Sequence, residues 1–337
     1  MTHIIFLIVL FFSFPDLNKK LPFYTLSFST LFLFLAIRYD FGNDYFSYMN
    51  LHALINDGLV DFGGKEILFN YLNLLIPNFF WLIAIISLFY IISIYNLIKK
   101  NFSAKDYWFS LLLLLVNPYL FLVHLSSLRQ TIAICFIIFA IKFAIKRNFP
   151  LYTILVLIAS GFHQSAIVLL PVYFLLNEKK INIKSISIIY GILVVLIGTP
   201  LFEAILDRIL EYFPHNYTYY FNQGYTNSLR STLISGTLFL FLILNINKLQ
   251  GKEMIYGKLS LISTIISILS IKVSMIFRIG MYFEIFLVVT IPFIICRLKR
   301  RSHKVLLSII ILTIYLGRYV NFFNGNEHYI YKTILGM

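Results

Sequence analysis

Two arginines and a histidine, each at the end of an apolar segment, are the side chains in this sequence best suited to chemistry. Arg129 and its neighbour Gln130 begin one segment, Arg278 and Tyr282 stand at the start of another, and His163 lies in a polar break. A guanidinium binds phosphate oxygens in pairs, and the free N–H groups of a helix N-terminus add to such a site. An imidazole titrates near neutral pH and can act as a general base or a donor. These residue types indicate a site for a phosphate or pyrophosphate group.

Acidic and aromatic side chains form a second group after the second apolar segment, comprising Arg38, Asp40, Asp44, Tyr48 and, further on, Glu66. The Gly42-Asn43 pair predicts a break that places Asp44 in the first turn of a helix, where the helix dipole favours a carboxylate. Asp44 and Tyr48 would then share a helix face. Such a group is typical of a polar ligand site, although a membrane-interface belt with an Arg–Asp pair uses the same residue types.

Both groups also have a plainer interpretation. Arg129 and Arg278 could pair with the acidic residues of the second group in a structural ion network, because a cation at a helix N-terminus needs a nearby anion. His163 could be a hydrogen-bonded core residue, although polar groups at membrane depth are costly and tend to be functional. The sequence leaves a ligand site and an ion network both open.

A third feature is the aromatic run between residues 212 and 225, which is rich in Tyr, Phe, Asn and Gln. Aromatic side chains of this kind form belts at the membrane interface. They also form platforms on which sugar rings stack, with amide side chains binding the hydroxyls. Either interpretation places the run at a membrane surface.

Membrane-spanning helices are the elements that must position these side chains. Of the 337 residues, 60% are hydrophobic, 18% aromatic and only 12% charged, whereas a soluble domain has about 25% charged residues. So little polar surface excludes a soluble enzyme, a disordered protein and a coiled coil. Because the apolar runs are continuous and a bilayer is crossed by fully hydrogen-bonded structures, we predict an all-α polytopic membrane protein with a single integral membrane domain over residues 1–337.

The apolar runs divide this domain into about twelve candidate spans, each close to the ~20 residues that a bilayer requires. They are residues 2–15, 22–37, 78–98, 107–124, 129–145, 149–162, 163–177, 185–203, 231–247, 258–272, 278–296 and 304–321. The first span and the two around His163 are short, so about 10–12 transmembrane helices are expected.

The basic residues predict the orientation of the spans. Most of the 28 lysines and arginines lie in alternate short loops, which the positive-inside rule makes cytoplasmic. Both termini then face outward, as do two longer segments, about residues 38–77 and 203–230, which carry the candidate active-site loops. The net charge of +14 is explained by this arrangement, and no nucleic-acid partner is expected.

No motif indicates a cofactor. A Walker A sequence is absent, and the His, Asp and Glu residues lack metal-ligand spacing. Cys135 and Cys296 both lie inside apolar runs, where a disulfide framework or a zinc site is not expected. We therefore expect neither a cofactor nor a metal.

Taken in order, the candidate residues resemble the EpsG-like branch of the bacterial O-antigen and capsule repeat-unit polymerases, the Wzy-type proteins. That family has an early Arg…Gly-x-Asp…Tyr segment followed by a Glu, a Leu-Arg-Gln at a helix start, a Phe-His-x-Ser-Ala further on, and a late Arg…Tyr-Phe. This chain carries them as Arg38…Gly42-Asn43-Asp44…Tyr48, Glu66, Leu128-Arg129-Gln130, Phe162-His163-Gln164-Ser165-Ala166 and Arg278…Tyr282-Phe283. The resemblance covers nearly the whole chain.

The resemblance implies a membrane glycosyltransferase in the bacterial cytoplasmic (inner) membrane. Such enzymes join oligosaccharide repeat units carried on undecaprenyl pyrophosphate, at the periplasmic or external face, during O-antigen, capsule or exopolysaccharide synthesis. The substrates are lipid-linked, and a chain-length regulator and a flippase of the same pathway are the expected protein partners. No cofactor is implied, because the donor sugar is already activated.

The resemblance also implies roles for the candidate residues. Arg129 and Arg278 would stabilise the leaving pyrophosphate, and Asp44 or His163 would deprotonate the acceptor hydroxyl. The other motif residues would bind the pyrophosphate or position the sugars, namely Arg38, Asp40, Tyr48, Glu66, Gln130 and Tyr282.

Two other functions use similar ligands. A flippase or transporter of lipid-linked oligosaccharides would need charges along a path open to both faces, and alternating access commonly brings repeated halves. A membrane O-acyltransferase of surface glycans would need an acyl donor from the cytoplasm, for which the short basic loops offer little. The one-sided placement of the candidate residues favours the polymerase.

Overall fold

The chain folds almost entirely into helices. The computed structural model describes residues 1–13, 23–60, 66–103, 106–210, 229–273, 276–324 and 327–336. The helices up to residue 172 are α1 (Thr2–Phe12), α2 (Phe23–Ala36), α3 (Tyr45–Asn56), α4 (Ile67–Leu75), α5 (Phe79–Lys99), α6 (Tyr107–Val116), α7 (Pro118–Phe121), α8 (Val123–Ser126), α9 (Leu128–Ile145), α10 (Phe149–Phe162) and α11 (Leu169–Val172). They continue with α12 (Ile183–Ile197), α13 (Pro200–Leu210), α14 (Leu229–Asn245), α15 (Lys252–Leu269), α16 (Ile276–Glu284), α17 (Leu287–Arg297) and α18 (Arg301–Phe323).

Two short strands join distant parts of the chain. Strand β1 (Arg38–Tyr39) pairs antiparallel with β2 (Lys332–Thr333), with Arg38 opposite Thr333 and Tyr39 opposite Lys332. The pairing holds the segment after α2 against the end of the described chain.

Several helices have the length and composition of membrane spans. Among the described residues, α5, α9 and α18 are each long and apolar enough to cross a bilayer, and α16 with α17 forms a fourth candidate that is bent by 48°. Shorter apolar helices lie within most of the remaining predicted spans. The span predicted over residues 258–272 lies in α15, which has 18 residues but is not among the span candidates of the described chain. The helical class is confirmed, and the structure is consistent with a helical membrane protein.

Proline interrupts two of the predicted spans. The prediction for residues 107–124 is broken at Asn117, because Pro118 lacks an N–H and disfavours helix at the preceding residue. Residues 163–177, predicted as one span, form a series of short helical turns. These are a 3₁₀ turn at Gln164–Val168, then α11, then a 3₁₀ turn at Tyr173–Leu175. Pro171 lies in α11 and removes a hydrogen bond that a continuous helix would need.

The predicted outer segment after α2 contains two helices. The helix expected after Gly42-Asn43 is present as α3, and Asp44 is its N-cap residue, although its side chain makes no cap hydrogen bond. Helix α4 was not predicted, because it is short and interrupted by polar residues. Its Asn73 is buried and accepts a hydrogen bond from His52 of α3 at 2.9 Å, which ties the two helices together.

The chain divides into two compact units, one of residues 1–173 with 300–337 and the other of residues 174–299. In the first unit, α5 packs against α2 and α9, and α9 packs against α10. Leu82 and Ile86 of α5 and Ile132 of α9 form a buried core there with Tyr45 and Phe79.

The second unit is centred on α15, which packs against α14, α16 and α17. Hydroxyl pairs join these helices, with Ser260 donating to Thr290 at 2.8 Å and Ser235 lying 2.6 Å from Ser267. Small hydroxyl residues at helix contacts are typical of helices that pack within a membrane.

Candidate functional site

The carboxylate of Glu66 is shared by two of the predicted site residues. Arg129 Nη1 donates to Glu66 Oε2, and His163 Nδ1 lies 2.5 Å from Glu66 Oε1. The three side chains come from the residue before α4, the first turn of α9 and the residue after α10. We call Glu66, Arg129 and His163 the Glu66 cluster.

Arg129 has the anionic partner that its position in the sequence predicts. It lies in the first turn of α9, where the helix dipole disfavours a cation. Glu66 supplies the negative charge, and its backbone adopts a left-handed conformation with φ of 66° just before α4 begins. Of the three acidic partners considered for Arg129, Glu66 is the one that the structure places there.

Close packing between α10 and α4 brings His163 to Glu66. A Cβ placed on Gly161 would lie 2.6 Å from Leu68 Cδ1 and 2.8 Å from its Cγ, so glycine allows the two helices to approach. Phe162 stacks on Phe136 of α9 with ring centroids 5.6 Å apart. These contacts set the end of α10, and the residue that follows is His163.

Aromatic rings enclose the guanidinium of Arg129. Its Cζ lies 5.6 Å from the ring centroid of Tyr48 and 5.9 Å from that of Phe69. Tyr48 and Phe69 also meet edge to face at 5.8 Å. Rings around a guanidinium stabilise the cation and hold its plane in one orientation. The side chain of Arg129 nevertheless keeps 38% of its surface exposed, so one edge can reach a ligand.

The electrostatics of the cluster keep Glu66 ionised. Burial alone would raise the pKa of Glu66, but the hydrogen bond from His163 and the charge of Arg129 outweigh it and hold the pKa below the ordinary 4.5. The pKa of Tyr48 changes in the opposite direction. Burial is the main cause that raises it, so the phenol stays protonated. At neutral pH the cluster therefore contains a carboxylate, a guanidinium and a neutral phenol.

This charge state determines which nitrogen of His163 is available. Because the Glu66 carboxylate can only accept, Nδ1 of His163 must carry the proton in their hydrogen bond. Nε2 is then the ring nitrogen left for a ligand, and no hydrogen bond to Nε2 is found in the described part of the chain. A carboxylate that fixes the tautomer of a histidine in this way leaves its other nitrogen able to take a proton.

Asp44 lies one helical turn before Tyr48, whose ring contacts Arg129 of this cluster. Asp44 is exposed, and its side chain forms no hydrogen bond or ion pair with any described residue. The backbone N–H of Tyr48 donates to the Asp44 carbonyl at 3.0 Å, so the two residues are one helical turn apart. The expected shared face of Asp44 and Tyr48 is therefore present, with the carboxylate open to solvent.

Arg38 is placed differently from the other predicted ligands. It is only 1% exposed, and its Nη1 donates to the Leu35 carbonyl at 2.9 Å and to Ser87 Oγ at 3.1 Å. Tyr45 donates to the Arg38 carbonyl at 3.4 Å. In this conformation Arg38 supports the helices beneath the site and does not reach a surface where a ligand could bind.

The other predicted site residues lie in three different environments. Asp40 pairs with Lys332 at 2.5 Å, across the two-stranded sheet. Gln130 is buried beside Arg129 at 1% exposure. Arg278 and Tyr282 belong to α16 in the second unit, where Arg278 is exposed and Tyr282 is fully buried. The aromatic run of residues 212–225 lies outside the described residues.

Sequence reasoning missed the contribution of the last described segment. Tyr329 contacts Ser126 with their oxygens 2.6 Å apart, and Tyr331 donates to the Phe34 carbonyl at 2.7 Å. The alternating Tyr329-Ile330-Tyr331-Lys332 pattern could have predicted a strand, but a two-residue strand gives too short a signal to recognise. Within the described ranges no group of three or more His, Cys, Asp or Glu residues could hold a metal ion.

Comparison with known proteins gives one match. Residues 21–333 match the model of the EpsG family, which covers the Glu66 cluster and every other predicted site residue. No curated protein and no solved structure matches the chain.

Proposed function

Because the chain belongs to the EpsG family, a Wzy-like polymerase family, we propose that it is the glycosyltransferase that joins lipid-linked repeat units of a surface polysaccharide. The substrates are oligosaccharides on undecaprenyl pyrophosphate, and the product is an O-antigen, capsule or exopolysaccharide. The observation that carries the proposal is the convergence of Arg129 and His163 on one carboxylate, Glu66.

The proposed reaction assigns the proton and the leaving group to different members of the Glu66 cluster. Nε2 of His163 takes the proton from a hydroxyl of the acceptor sugar, whose oxygen attacks the anomeric carbon of the donor chain. The bond from that carbon to the pyrophosphate oxygen breaks. Arg129 binds the pyrophosphate as its negative charge develops, which is stabilisation of the transition state by a preorganised donor. Glu66 holds both side chains in place.

Asp44 and Tyr48 complete the proposed site. The exposed Asp44 carboxylate binds hydroxyls of the acceptor sugar, since it has no competing partner among the described residues. Tyr48 packs against the Arg129 guanidinium and keeps it aimed at the pyrophosphate. Arg278 stays a proposed pyrophosphate ligand on the basis of its sequence position alone.

We further propose about twelve spans in the cytoplasmic (inner) membrane, within ~10–12, with both termini outward. The ion pairs support this topology because each joins residues assigned to the same face. Asp40 pairs with Lys332 and Glu203 with Lys272 on the proposed outer side, and Glu253 pairs with Arg297 on the inner side. These pairs support the alternation of the loops, and the choice of the outward side rests on the positive-inside rule.

Deletion of the gene, followed by gel analysis of the surface polysaccharide, tests this function. A polymerase mutant carries single repeat units in place of a ladder, and wild-type protein restores the ladder. A deletion strain with no repeat units at all would indicate a flippase. A normal ladder lacking acyl groups would indicate an O-acyltransferase.

Restoring the ladder with single-residue variants tests the site. Arg129→Ala and His163→Ala should each give single repeat units although the protein accumulates in the membrane. Arg208→Ala, an exposed cation of the second unit outside the motif residues, is the control and should restore the full ladder. A full ladder with Arg129→Ala and His163→Ala would contradict the assignment.

A further inference from the structure

The turn that presents Asp44 is held by a segment almost three hundred residues away in the sequence. The N–H of Asn43 donates to Ser126 Oγ at 3.2 Å, and Ser126 Oγ lies 2.6 Å from the hydroxyl of Tyr329. The N–H of Gly42 donates to the His328 carbonyl at 2.8 Å. The two residues before Asp44 are therefore both bonded, directly or through Ser126, to residues 327–329.

The fit of this turn against Ser126 is close. Gly42 has a φ of 112°, and a Cβ at this position would lie 3.0 Å from Ser126 Oγ. A side chain at residue 42 would strain the backbone and press on the same oxygen that Asn43 uses. Tyr329 is 4% exposed and packs against Phe41 with ring centroids 5.4 Å apart. The hydroxyl pair of Ser126 and Tyr329 is thus enclosed and has a defined geometry.

The carboxylate of Asp44 forms no hydrogen bond or ion pair with any described residue. Its position is therefore set by its backbone, and that backbone is set by the preceding turn. A group that binds a reacting hydroxyl must be held within a fraction of an ångström to be effective.

We propose that Tyr329, acting through Ser126 and the backbone of Asn43, is a positioning residue for Asp44 in the polymerisation reaction. This inference rests on the proposed function, and it adds to the site a residue near the end of the described chain. Tyr329 does not touch substrate in this proposal. Its effect on the reaction passes through Asp44.

A double-mutant cycle on the full-length protein tests the coupling. The variants are Tyr329→Phe, Asp44→Asn and the two together, assayed in detergent with lipid-linked repeat units extracted from the deletion strain. Removing one hydrogen bond should lower kcat of Tyr329→Phe about tenfold with little change in KM. Because the hydroxyl acts through Asp44, the double variant should be no slower than Asp44→Asn alone.

A matched control distinguishes this positioning role from a merely structural one, in which Tyr329 only anchors the last described segment to the rest of the protein. Tyr331 lies two residues away, and its hydroxyl also donates one hydrogen bond, but to the Phe34 carbonyl of α2. Tyr331→Phe should change kcat less than about twofold, and its effect should multiply with that of Asp44→Asn. Ser126→Ala removes the same bond from the other side together with the bond from the Asn43 N–H. Its loss in kcat should therefore be at least that of Tyr329→Phe and should likewise be absent in the Asp44→Asn background, which covers the case in which Tyr329→Phe fails to accumulate.

Three results would overturn the proposal. The first is a double variant whose loss in kcat is the product of the Tyr329→Phe and Asp44→Asn losses. The second is a coupling of Tyr331→Phe to Asp44→Asn as large as that of Tyr329→Phe. The third is full activity of Asp44→Asn. In each case inactive Arg129→Ala and His163→Ala would leave the proposed function standing. Activity of those two variants would instead remove the proposed function itself.

Discussion

Arg129 and Arg38 have similar positions in the sequence and opposite environments in the structure. Both lie at the outer end of a predicted span, and both were expected to bind substrate. Arg129 keeps 38% of its side chain exposed and pairs with a carboxylate. Arg38 is 1% exposed and is bonded by its guanidinium to a carbonyl and a hydroxyl. The two arginines therefore differ in exposure and in the charge of the partner, and only Arg129 is proposed to bind substrate.

The largest difference should appear when each arginine is replaced by methionine, which keeps the length of the side chain without its charge. Arg129→Met should abolish the polysaccharide ladder while the protein accumulates normally, because the pyrophosphate loses its cation. Arg38→Met should retain activity per molecule. Gel analysis of the polysaccharide, with the protein measured in the same membranes, checks both variants. An active Arg129→Met or a well-accumulated but inactive Arg38→Met would reverse the comparison.

Glu66→Gln should have the next largest effect, because it keeps the shape of the side chain but removes the charge. An amide can present its N–H₂ to His163 and stabilise the wrong tautomer, so we expect a loss of about 10²-fold or more in kcat. The rate of polymer formation by purified protein measures this loss. Glu253→Gln, which neutralises an acidic residue paired with Arg297 outside the candidate site, is the matched control and should be close to wild type.

Arg38→Ala should mainly reduce stability. Truncation leaves a cavity and removes two hydrogen bonds, for an expected loss of about 2–4 kcal/mol. The amount of folded protein and its unfolding temperature in detergent would show it. Arg38→Met should lose less, because a methionine fills most of the space. Equal losses in both variants would mean that the hydrogen bonds, and not packing, carry the contribution of Arg38.

The pH dependence of unfolding should show a smaller effect, which comes from the charge of Glu66. The folded-state pKa of Glu66 lies below 4.5, so its contribution to stability is complete above that pH. It is lost as the pH falls through the lower folded-state value. Wild type should therefore lose more stability than Glu66→Gln between pH 5 and pH 3, as measured by thermal unfolding. Parallel curves would show that Glu66 does not carry this linkage.

The smallest effect should come from the exposed pair of Lys332 and Asp40. The Lys332 side chain is 54% exposed, and such surface pairs contribute about 0–1 kcal/mol. Lys332→Ala should therefore leave the unfolding temperature and the rate of polymer formation nearly unchanged. A large loss of activity would show that Lys332 takes part in binding the pyrophosphate.

The sequence predicted the helical class, because continuous apolar runs are a local signal. It missed the breaks within residues 107–124 and 163–177 and did not predict α4. It also predicted that Arg129 needs an anion, since the helix dipole disfavours a cation at that end. It could not select Glu66 from the three acidic candidates. That choice depends on the close approach of α10 and α4 at Gly161 and Leu68, which is a property of packing.

The pairing of β1 with β2 and the contact of Tyr329 with Ser126 were beyond sequence reasoning for a related reason. Both join residues that are about two hundred or more positions apart in the chain. A two-residue strand has no periodicity to recognise, and a contact over such a sequence distance leaves no local pattern. The sequence therefore predicted candidate side chains but not the contacts that hold them.

The most direct test of the central claim uses purified protein and lipid-linked repeat units extracted from the deletion strain. The measurement counts glycosidic bonds formed and undecaprenyl pyrophosphate released. Wild-type protein should release one lipid pyrophosphate for each new bond, and Arg129→Ala and His163→Ala should produce neither. Polymer formed at the wild-type rate by these two variants, or no polymer formed by the wild-type protein, would contradict the account.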